Sequence, residues 1–213
     1  MDRTGLRERK KARTRRLIAD SAASLFAERG YENVSVSDVA REAEVAEQTV
    51  YNYFPTKEQL VTDRDEQIQE RLCDLIRSRP PHTTPVAAVR DFVLESVAGI
   101  RTISPDLWRG ELGYLAGISP TVYRLALELT DRQAVALADA IGDSTAVEPE
   151  IARLQGIALA GVFQIIITHV AGRTREGLGQ VEIADALYPM VENVLDELER
   201  WLSPSRLPGG AEH

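Results

Sequence analysis

Residues 47–53 bring together side chains that can bond the edges of DNA bases. The candidates for base contacts are Glu47, Gln48, Thr49, Tyr51 and Asn52. Glutamine and asparagine amides can bond adenine through two groups at once, a carboxylate can accept from cytosine, and the threonine methyl can meet a thymine methyl. These residue types favour base recognition if a helix presents them from its N-terminal end and exposed face. The alternatives are that Tyr51 lies partly in the core and that Glu47 only interacts favourably with the dipole of its own helix.

The surrounding sequence predicts two short helices that would position this segment. Ser35 and Asp38 have the spacing of a capping box, so a helix is expected from Val36. A second helix is expected over about Glu47–Tyr53, and Pro55 should end it. A helix, a tight turn and a second helix form the geometry that presents the second helix to a major groove. An ordinary helical hairpin within a core would have the same spacing.

Charge is distributed unevenly along the chain. The whole chain has a net charge of −8, whereas residues 1–16 contain eight basic and two acidic residues. The basic residues of this arm are Arg3, Arg7, Arg9, Lys10, Lys11, Arg13, Arg15 and Arg16. A basic arm beside a helix-turn-helix on an acidic body indicates local binding to phosphates. The alternative is a solvated tail, and residues 1–10 are expected to be disordered.

The segment Val45–Lys57 also resembles a known family. With Asp38-Val-Ala and Leu25–Tyr31 before it, the segment is similar to the DNA-binding domain of tetracycline-repressor-type (TetR) transcriptional regulators over about Arg13–Leu60. The resemblance implies that Tyr53 and Lys57 contact phosphates, the latter also through its backbone amide. Arg13 in the arm and Ser35, at the start of the preceding helix, are further candidates for DNA contacts.

Two residues depart from the family pattern in the turn. Glu44 stands where the family usually has glycine, and a left-handed conformation there would cost about 1 kcal/mol. Ala46 stands where a capping serine or threonine is common, which would lose about 1 kcal/mol and a phosphate contact. These departures concern the pose of the recognition helix rather than its existence.

The whole chain is expected to be all-α, with an N-terminal three-helix helix-turn-helix DNA-binding domain joined to a C-terminal helical ligand-binding and dimerisation bundle. The expected divisions are a basic disordered arm (1–10), the DNA-binding domain (11–60), the ligand-binding and dimerisation domain (61–204) and a disordered tail (205–213). Within them, helices are expected over about 11–29, 57–77, 85–101, 105–116, 120–142, 149–171 and 181–202. Three of these helices begin with Ser or Thr followed by Pro, as at Thr84-Pro85.

The last two predicted helices show a residue pattern typical of helix–helix association. A 3,4,3,4,3 spacing typical of a helix-bundle seam relates Ala184, Leu187, Val191, Val194, Leu198 and Trp201. Gly156 and Ala160 in the preceding helix would allow close backbone approach. This arrangement resembles the four-helix dimer interface of the family and predicts a homodimer, with packing inside one chain as the alternative. Pro189 lies within the seam and should either kink the last helix or begin it.

A small-molecule site is expected in the C-terminal bundle. Aromatic and polar candidates for its lining are Arg101, Trp108, Arg109, Tyr114, Tyr123, Phe163, Gln164 and His169, a mixture common in ligand sites. Core packing explains each of them at least as well, and for His169 a satisfied core histidine is favoured.

The stretch Leu154–Gly172 carries no formal charge over 19 residues and is close to membrane-spanning length. Because Gln155, Gln164, Thr168 and His169 interrupt it, a buried helix in a soluble bundle is favoured.

These features favour a cytoplasmic repressor that binds a palindromic DNA operator as a homodimer and is released by a small-molecule effector. Cys73 is the only cysteine, which is compatible with a reducing compartment, and the N-terminus lacks an apolar signal region. An enzyme is not favoured, because catalytic motifs such as G-x-S-x-G and H-E-x-x-H do not occur. Three histidines make a metal site improbable, and no cofactor is expected. A helical ligand-binding or adaptor protein that does not regulate transcription remains an alternative.

Overall fold

The computed structural model describes residues 3–202, and every regular element in that range is helical. The α-helices are α1 (Arg3–Arg29), α2 (Val36–Glu42), α3 (Glu47–Tyr53), α4 (Gln59–Arg77), α5 (Pro85–Gly99), α6 (Pro105–Gly110), α7 (Leu112–Ile118), α8 (Pro120–Ser144), α9 (Pro149–Arg175) and α10 (Gln180–Leu202). Short 3₁₀ turns cover Tyr31–Asn33 and Ile100–Thr102. The all-α prediction is confirmed. The expected tail (205–213) and the first two residues of the arm lie outside the described residues.

The first helix is longer than the sequence suggested. It begins at Arg3, so residues 3–10 continue the helix that was expected to start at Lys11 after a disordered arm. Arginine, lysine, glutamate and leucine are good helix formers, and their combined propensity outweighs that of the single glycine, Gly5. The basic residues of the arm therefore lie within a helix.

Helices α1, α2 and α3 pack around a small apolar core. Phe26, Val39, Val50 and Phe54 are at most 1% exposed. The capping box at Ser35 is present, because its hydroxyl accepts from the Asp38 backbone N–H while the Asp38 carboxylate accepts from the Ser35 N–H. This core is continuous with residues of α7, α8 and α9, so the DNA-binding domain is packed onto the body.

The predicted starts of three body helices are confirmed. The hydroxyls of Thr84, Ser104 and Ser119 each accept a hydrogen bond from the backbone N–H three residues further on, and a proline follows each of them. The helix that starts at Pro105 ends at Gly110, however, and α7 begins at Leu112, where one short helix to about Ala116 was expected. A Cβ on Gly110 would lie 2.5 Å from the Ala23 Cβ. The break lets α6 lie directly against α1.

Helices α8 and α9 form the centre of the body, with α4, α5, α7 and α10 packed around them. Gly156 permits their close approach, because a Cβ there would lie 2.5 Å from the Ala134 carbonyl oxygen. Helix α10 continues through Pro189 as a helix on both sides. Pro189 and Asp185, whose carbonyl loses its helical partner, are both exposed, so water can bond the freed carbonyl.

Helix α9 is the one helix among the described residues that is long and apolar enough to cross a membrane by length and composition. A single helix of this kind is weak evidence for a membrane protein, because core helices of soluble proteins pass the same test. Only 33% of its apolar window is buried within the chain. The prediction of a helix buried on most sides is therefore met on one side only, and α9 keeps an exposed apolar face.

Candidate DNA interface and ligand cavity

Helix α3 presents polar side chains to solvent and anchors itself through its other face. Glu47, Gln48 and Asn52 are exposed, and Tyr51 is 41% exposed, while Val50 is fully buried. The Gln48 amide donates to the Asn52 side-chain oxygen at 3.3 Å, which aligns the two amides one helical turn apart. Thr49 is half-buried beside them. The side chains expected to contact bases are therefore accessible on one short, rigidly anchored helix, with Tyr51 outside the core.

The turn before α3 has the strain that the sequence suggested. Glu44 has φ of 52°, which is the left-handed region. The Val45 N–H donates to the Ala40 carbonyl at 2.9 Å, the long hydrogen bond of a Schellman helix end, which places a left-handed residue at position 44. Ala46 begins α3 without any side-chain cap. Glycine at 44 and a hydroxyl residue at 46 would suit this geometry better.

The residues expected to contact phosphates divide into two groups. Arg13 and Ser35 are exposed, although the Ser35 hydroxyl is engaged with Asp38. The Lys57 side chain points into the domain, because its ammonium donates to the Tyr31 carbonyl at 2.5 Å and lies 4.1 Å from the centre of the Tyr31 ring. Burial lowers the pKa of Lys57. Only its backbone amide therefore remains a phosphate candidate, and Tyr53 is half-buried at the end of α3.

Arg15 has a different place from the rest of the basic arm. Its Nε donates to the Asp63 carboxylate at 2.7 Å and its Nη1 to the Tyr53 carbonyl at 3.0 Å. The guanidinium also lies 4.7 Å from the centre of the Phe54 ring. Arg15 thus links α1 to the end of α3 and to α4, rather than facing solvent as a phosphate ligand. The basic run in the sequence gave no sign of this role.

The body contains a partly open cavity of about 310 Å³ between α4, α5, α6, α7, α8 and α9. Its lining is mainly apolar, and its polar members are Arg64, Asp65, Ser96, Glu111, Thr130 and Gln133. Of the eight residues expected to form a ligand pocket, Trp108 and Phe163 line the cavity. The other six do not line this cavity, and their assignment to a ligand pocket stays a prediction.

These six residues lie elsewhere for identifiable reasons. Arg101 pairs with Asp185 at the surface, and Arg109 is exposed. The Tyr114 ring packs edge-on against Trp108, and the Tyr123 ring lies beneath the Arg175 guanidinium. Gln164 is exposed in an outer groove between α8 and α9.

His169 is half-buried, and its Nε2 has no hydrogen-bond partner. The favoured expectation of a satisfied core histidine is therefore not met. Burial and, secondarily, Arg173 lower its pKa, so the ring is neutral at pH 7.

The polar residues that do face the cavity were missed because each is isolated in an apolar pattern. Thr130 and Gln133 lie on the inner face of α8 and are 7% and 6% exposed. Asp65 lies on the inner face of α4, half-buried, three residues before Ile68. Burial raises the pKa of Asp65 to about 7. A polar residue at a core-facing helical position was the signal available in the sequence.

The expected dimer seam is mostly covered by its own chain. Gly156, Ala160, Val191 and Leu198 are buried, Val194 is half-buried, and only Trp201, at 75% exposure, is open to a partner. The 3,4 spacing identified the apolar face of α10 correctly, but that face packs on α5 and α9. Helices α8 and α9 expose Val135, Ile151, Leu154, Ile157 and Ile165, and α10 exposes Val181 and Tyr188 besides Trp201.

Residues 18–63, which span most of α1, all of α2 and α3 and the start of α4, match the family model of the bacterial regulatory proteins of the tetR family. This segment is a TetR-type DNA-binding domain. The chain is also similar to the HTH-type transcriptional regulator TcmR of Streptomyces glaucescens, with 26% identity over 205 residues, 91% of this chain and 86% of TcmR. This similarity extends through the body of the chain as well as its DNA-binding domain.

Solved structures show the same fold. NalD of Pseudomonas aeruginosa, described as the secondary repressor of the MexAB-OprM multidrug efflux pump, superposes with a TM-score of 0.58 at 21% identity, covering 91% of this chain and 98% of NalD. The TetR family repressor AlkX from Dietzia sp. strain DQ12-45-1b superposes with a TM-score of 0.53 at 20% identity, covering 86% of this chain and 97% of AlkX. At these identities the likeness establishes the shared arrangement of helices.

Proposed function

We propose that this TetR-type regulator is a cytoplasmic repressor that binds a palindromic operator as a homodimer and releases it when a small molecule occupies the cavity of the body. The observation that carries the proposal is that helix α4 contacts the domain that presents the exposed helix α3 and also lines an apolar cavity of the body. Asp63 of α4 holds Arg15 of the DNA-binding domain, and Asp65 and Ile68 of the same helix line the cavity.

In this proposal α3 lies in the major groove. Gln48 and Asn52 bond adenine edges, Thr49 and Glu47 contact thymine and cytosine, and Tyr51 covers the neighbouring base or sugar. Ser35, Arg13, Tyr53 and the Lys57 amide contact phosphates on either side of the groove. Phosphate contacts provide affinity and orientation, whereas the short list of base contacts provides specificity.

Homodimerisation is supported by the exposed apolar face of the body. Ile151, Leu154 and Ile157 follow one another on α9 and are 46%, 59% and 51% exposed. Large contiguous apolar surface on a soluble protein indicates an interaction site. A second copy that covers this face would bury the apolar side of α9 that its own chain leaves open. A dimer that reads a palindrome needs its two α3 helices at half-sites about 34–36 Å apart, or a multiple of a helical turn.

Several contacts can carry a change in the body to the DNA-binding domain. Arg64 of α4 is paired with Glu111 between α6 and α7, and α6 touches α1 at Gly110. The Ser119 hydroxyl, which begins α8, donates to Glu32 of the DNA-binding domain at 2.5 Å. Some effectors bind more tightly when the two DNA-binding domains have a spacing that does not fit the operator. Such an effector must weaken operator binding, by at most the difference between its binding free energies for the two forms. Such couplings are typically about 1–3 kcal/mol, or about 5–150-fold in affinity.

The test is selection of binding sequences from a random DNA pool with purified protein, followed by band shifts with and without cell extract. Enrichment of a palindrome and its release by extract support the proposal. Val97→Phe and Ile166→Trp, which place larger side chains in the cavity wall, should then keep operator binding and reduce release. If no sequence is enriched while the cavity still binds small molecules, the chain is a ligand-binding or adaptor protein instead.

A further inference from the structure

Asp65 stands where the geometry of α4 places core residues. Val61, Asp65, Ile68, Leu72 and Ile76 follow one another at intervals of three or four along the inner face of the helix. Val61, Leu72 and Ile76 are at most 7% exposed. Asp65 is the single charged residue in this row, and it lies in the wall of the cavity. A carboxylate at such a position is costly unless a positive partner compensates it.

Among the described residues, no cation forms an ion pair with Asp65. Arg64, the adjacent cation, is paired with Glu111, and Arg15 is paired with Asp63. No side-chain donor hydrogen-bonds the Asp65 carboxyl in the described part of the chain. Burial raises the pKa of Asp65 to about 7, and the charge of Arg64 and one backbone hydrogen bond oppose this only in part. The carboxyl is therefore left with unused capacity to accept or donate a hydrogen bond.

The charge balance of the cavity favours a positively charged partner for the Asp65 carboxyl. Arg64, Asp65 and Glu111 are the charged residues of the lining, and because Arg64 pairs with Glu111, the lining keeps one excess negative charge when Asp65 is ionised. The rest of the lining is dominated by aliphatic and aromatic side chains, among them Ile68, Val97, Trp108 and Phe163. Such a cavity favours an apolar body with one positively charged end, and it disfavours a carboxylate ligand.

We propose that the effector is a hydrophobic amine whose protonated nitrogen pairs with the Asp65 carboxylate while its apolar body fills the cavity. This inference rests on the proposed function, because it assigns the chemical class of the ligand to the same cavity. The volume of about 310 Å³ is at the lower end of small-molecule sites, which suits a compact body of two rings or an equivalent chain. A charge-assisted hydrogen bond at one end fixes the orientation of such a molecule.

The test uses two probes that differ in charge but not in shape, 4-phenylbenzylamine and 4-phenylbenzyl alcohol. Calorimetric titration of the full chain at pH 8 should show the amine binding at least about tenfold more tightly than the alcohol. Asp65→Asn should remove this preference and leave the affinity for the alcohol unchanged. Asp74→Asn, which removes an exposed carboxylate from the same helix, should retain the preference.

The pH dependence provides a second readout. As the pH falls from 8 to 6, Asp65 becomes protonated while the amine stays charged, so the preference for the amine should decrease in the wild type and stay absent in Asp65→Asn. The charged side chains around Asp65 on α1, α4 and the α6–α7 junction are Arg15, Arg16, Asp20, Asp63, Arg64, Glu66, Glu70 and Glu111. Because Asp65→Asn removes one group from this set, a pH effect that persists in this variant arises from another group and contradicts the proposal.

The outcomes separate this inference from the proposed function. Equal affinities for the two probes, tighter binding of the alcohol, or no measurable binding of the amine would overturn the assignment of an amine. Release of an enriched operator by cell extract would still support a ligand-responsive repressor in that event. Conversely, a preference for the amine that depends on Asp65, without enrichment of any DNA sequence, would retain the ligand class and contradict the repressor.

Discussion

The polar side chains on helix α3 and those in the cavity of the body have opposite environments. On α3, polar residues are adjacent in sequence, exposed to water, and held from below by Val50 and Phe54, which are fully buried. In the cavity, a few polar residues from α4, α5 and α8 are separated along the chain and surrounded by apolar side chains. The first site recognises a ligand by offering many hydrogen-bonding groups on a surface. The second can recognise a ligand through one uncompensated group in a poorly hydrated space.

The largest effect is expected where the body meets a second copy of the chain. Leu154→Asp combined with Ile157→Asp places two charges on the exposed apolar face of α9. Covering an aliphatic side chain of this size is worth about 1.5–3 kcal/mol, and an unpaired buried carboxylate adds a further cost, so the double variant should be a folded monomer. Light scattering gives the mass and circular dichroism the helicity. A palindrome should then bind much more weakly, since each half-site is bound separately.

The matched control for this prediction is the buried face of the last helices. Val191→Asp should unfold the body rather than give a folded monomer, because Val191 is fully buried in its own chain. If Leu154→Asp with Ile157→Asp stays dimeric with unchanged helicity, the interface lies elsewhere, and Trp201 and Tyr188 on α10 become the next candidates.

The second prediction concerns stability at the cavity. The pKa of Asp65 is about 7 in the folded chain, above its ordinary value of 3.8, so the folded state holds the proton more tightly than the unfolded state. The free energy of unfolding should therefore fall as pH rises from about 4 to 7 through this group. Asp65→Asn should raise that free energy by about 2–4 kcal/mol at pH 8 and by little at pH 4. Urea unfolding at both pH values measures the difference, and a variant equally stabilised at both would contradict it.

The two regions also differ in how far the sequence predicts them. The capping box at Ser35, the left-handed turn at Glu44 and the exposed face of α3 depend on residues within a few positions of one another. Local rules therefore sufficed for them. The cavity depends on how six helices pack, and side chains such as Arg101 and Gln164 point away from it for reasons that lie in distant segments. Spacing on α10 gave the apolar face but not the element that covers it.

The third prediction tests whether side chains of α3 read bases while residues such as Arg13 contact only phosphates. Gln48→Ala or Asn52→Ala should cost about 1–3 kcal/mol at a single base pair and relax the preference at that position. Band shifts against an operator in which each base pair is varied in turn measure this effect. Arg13→Ala is the matched comparison, because an exposed phosphate contact should weaken all sequences alike and reduce the salt slope by about 0.9. Uniform weakening by the α3 variants would show that they do not read bases.

The smallest effect is expected in the turn that orients α3. Glu44 holds φ of 52°, and Ala46 starts α3 without a side-chain cap. Glu44→Gly should relieve about 1 kcal/mol of left-handed strain, and Ala46→Ser should add about 1 kcal/mol by accepting from a free N–H of the first turn. Each should raise the melting temperature by about 2–4 °C in a chain of this size.

Both substitutions change the turn before α3 and the first residue of its N-terminal end, and they leave the base-contacting side chains of α3 unchanged. The preference at every base pair should therefore stay the same while overall affinity stays constant or rises. Glu42→Gly, two residues earlier within α2, is the control and should destabilise, because its backbone is helical. A changed base preference in Glu44→Gly would mean that the strained turn itself sets the pose of α3 in the groove.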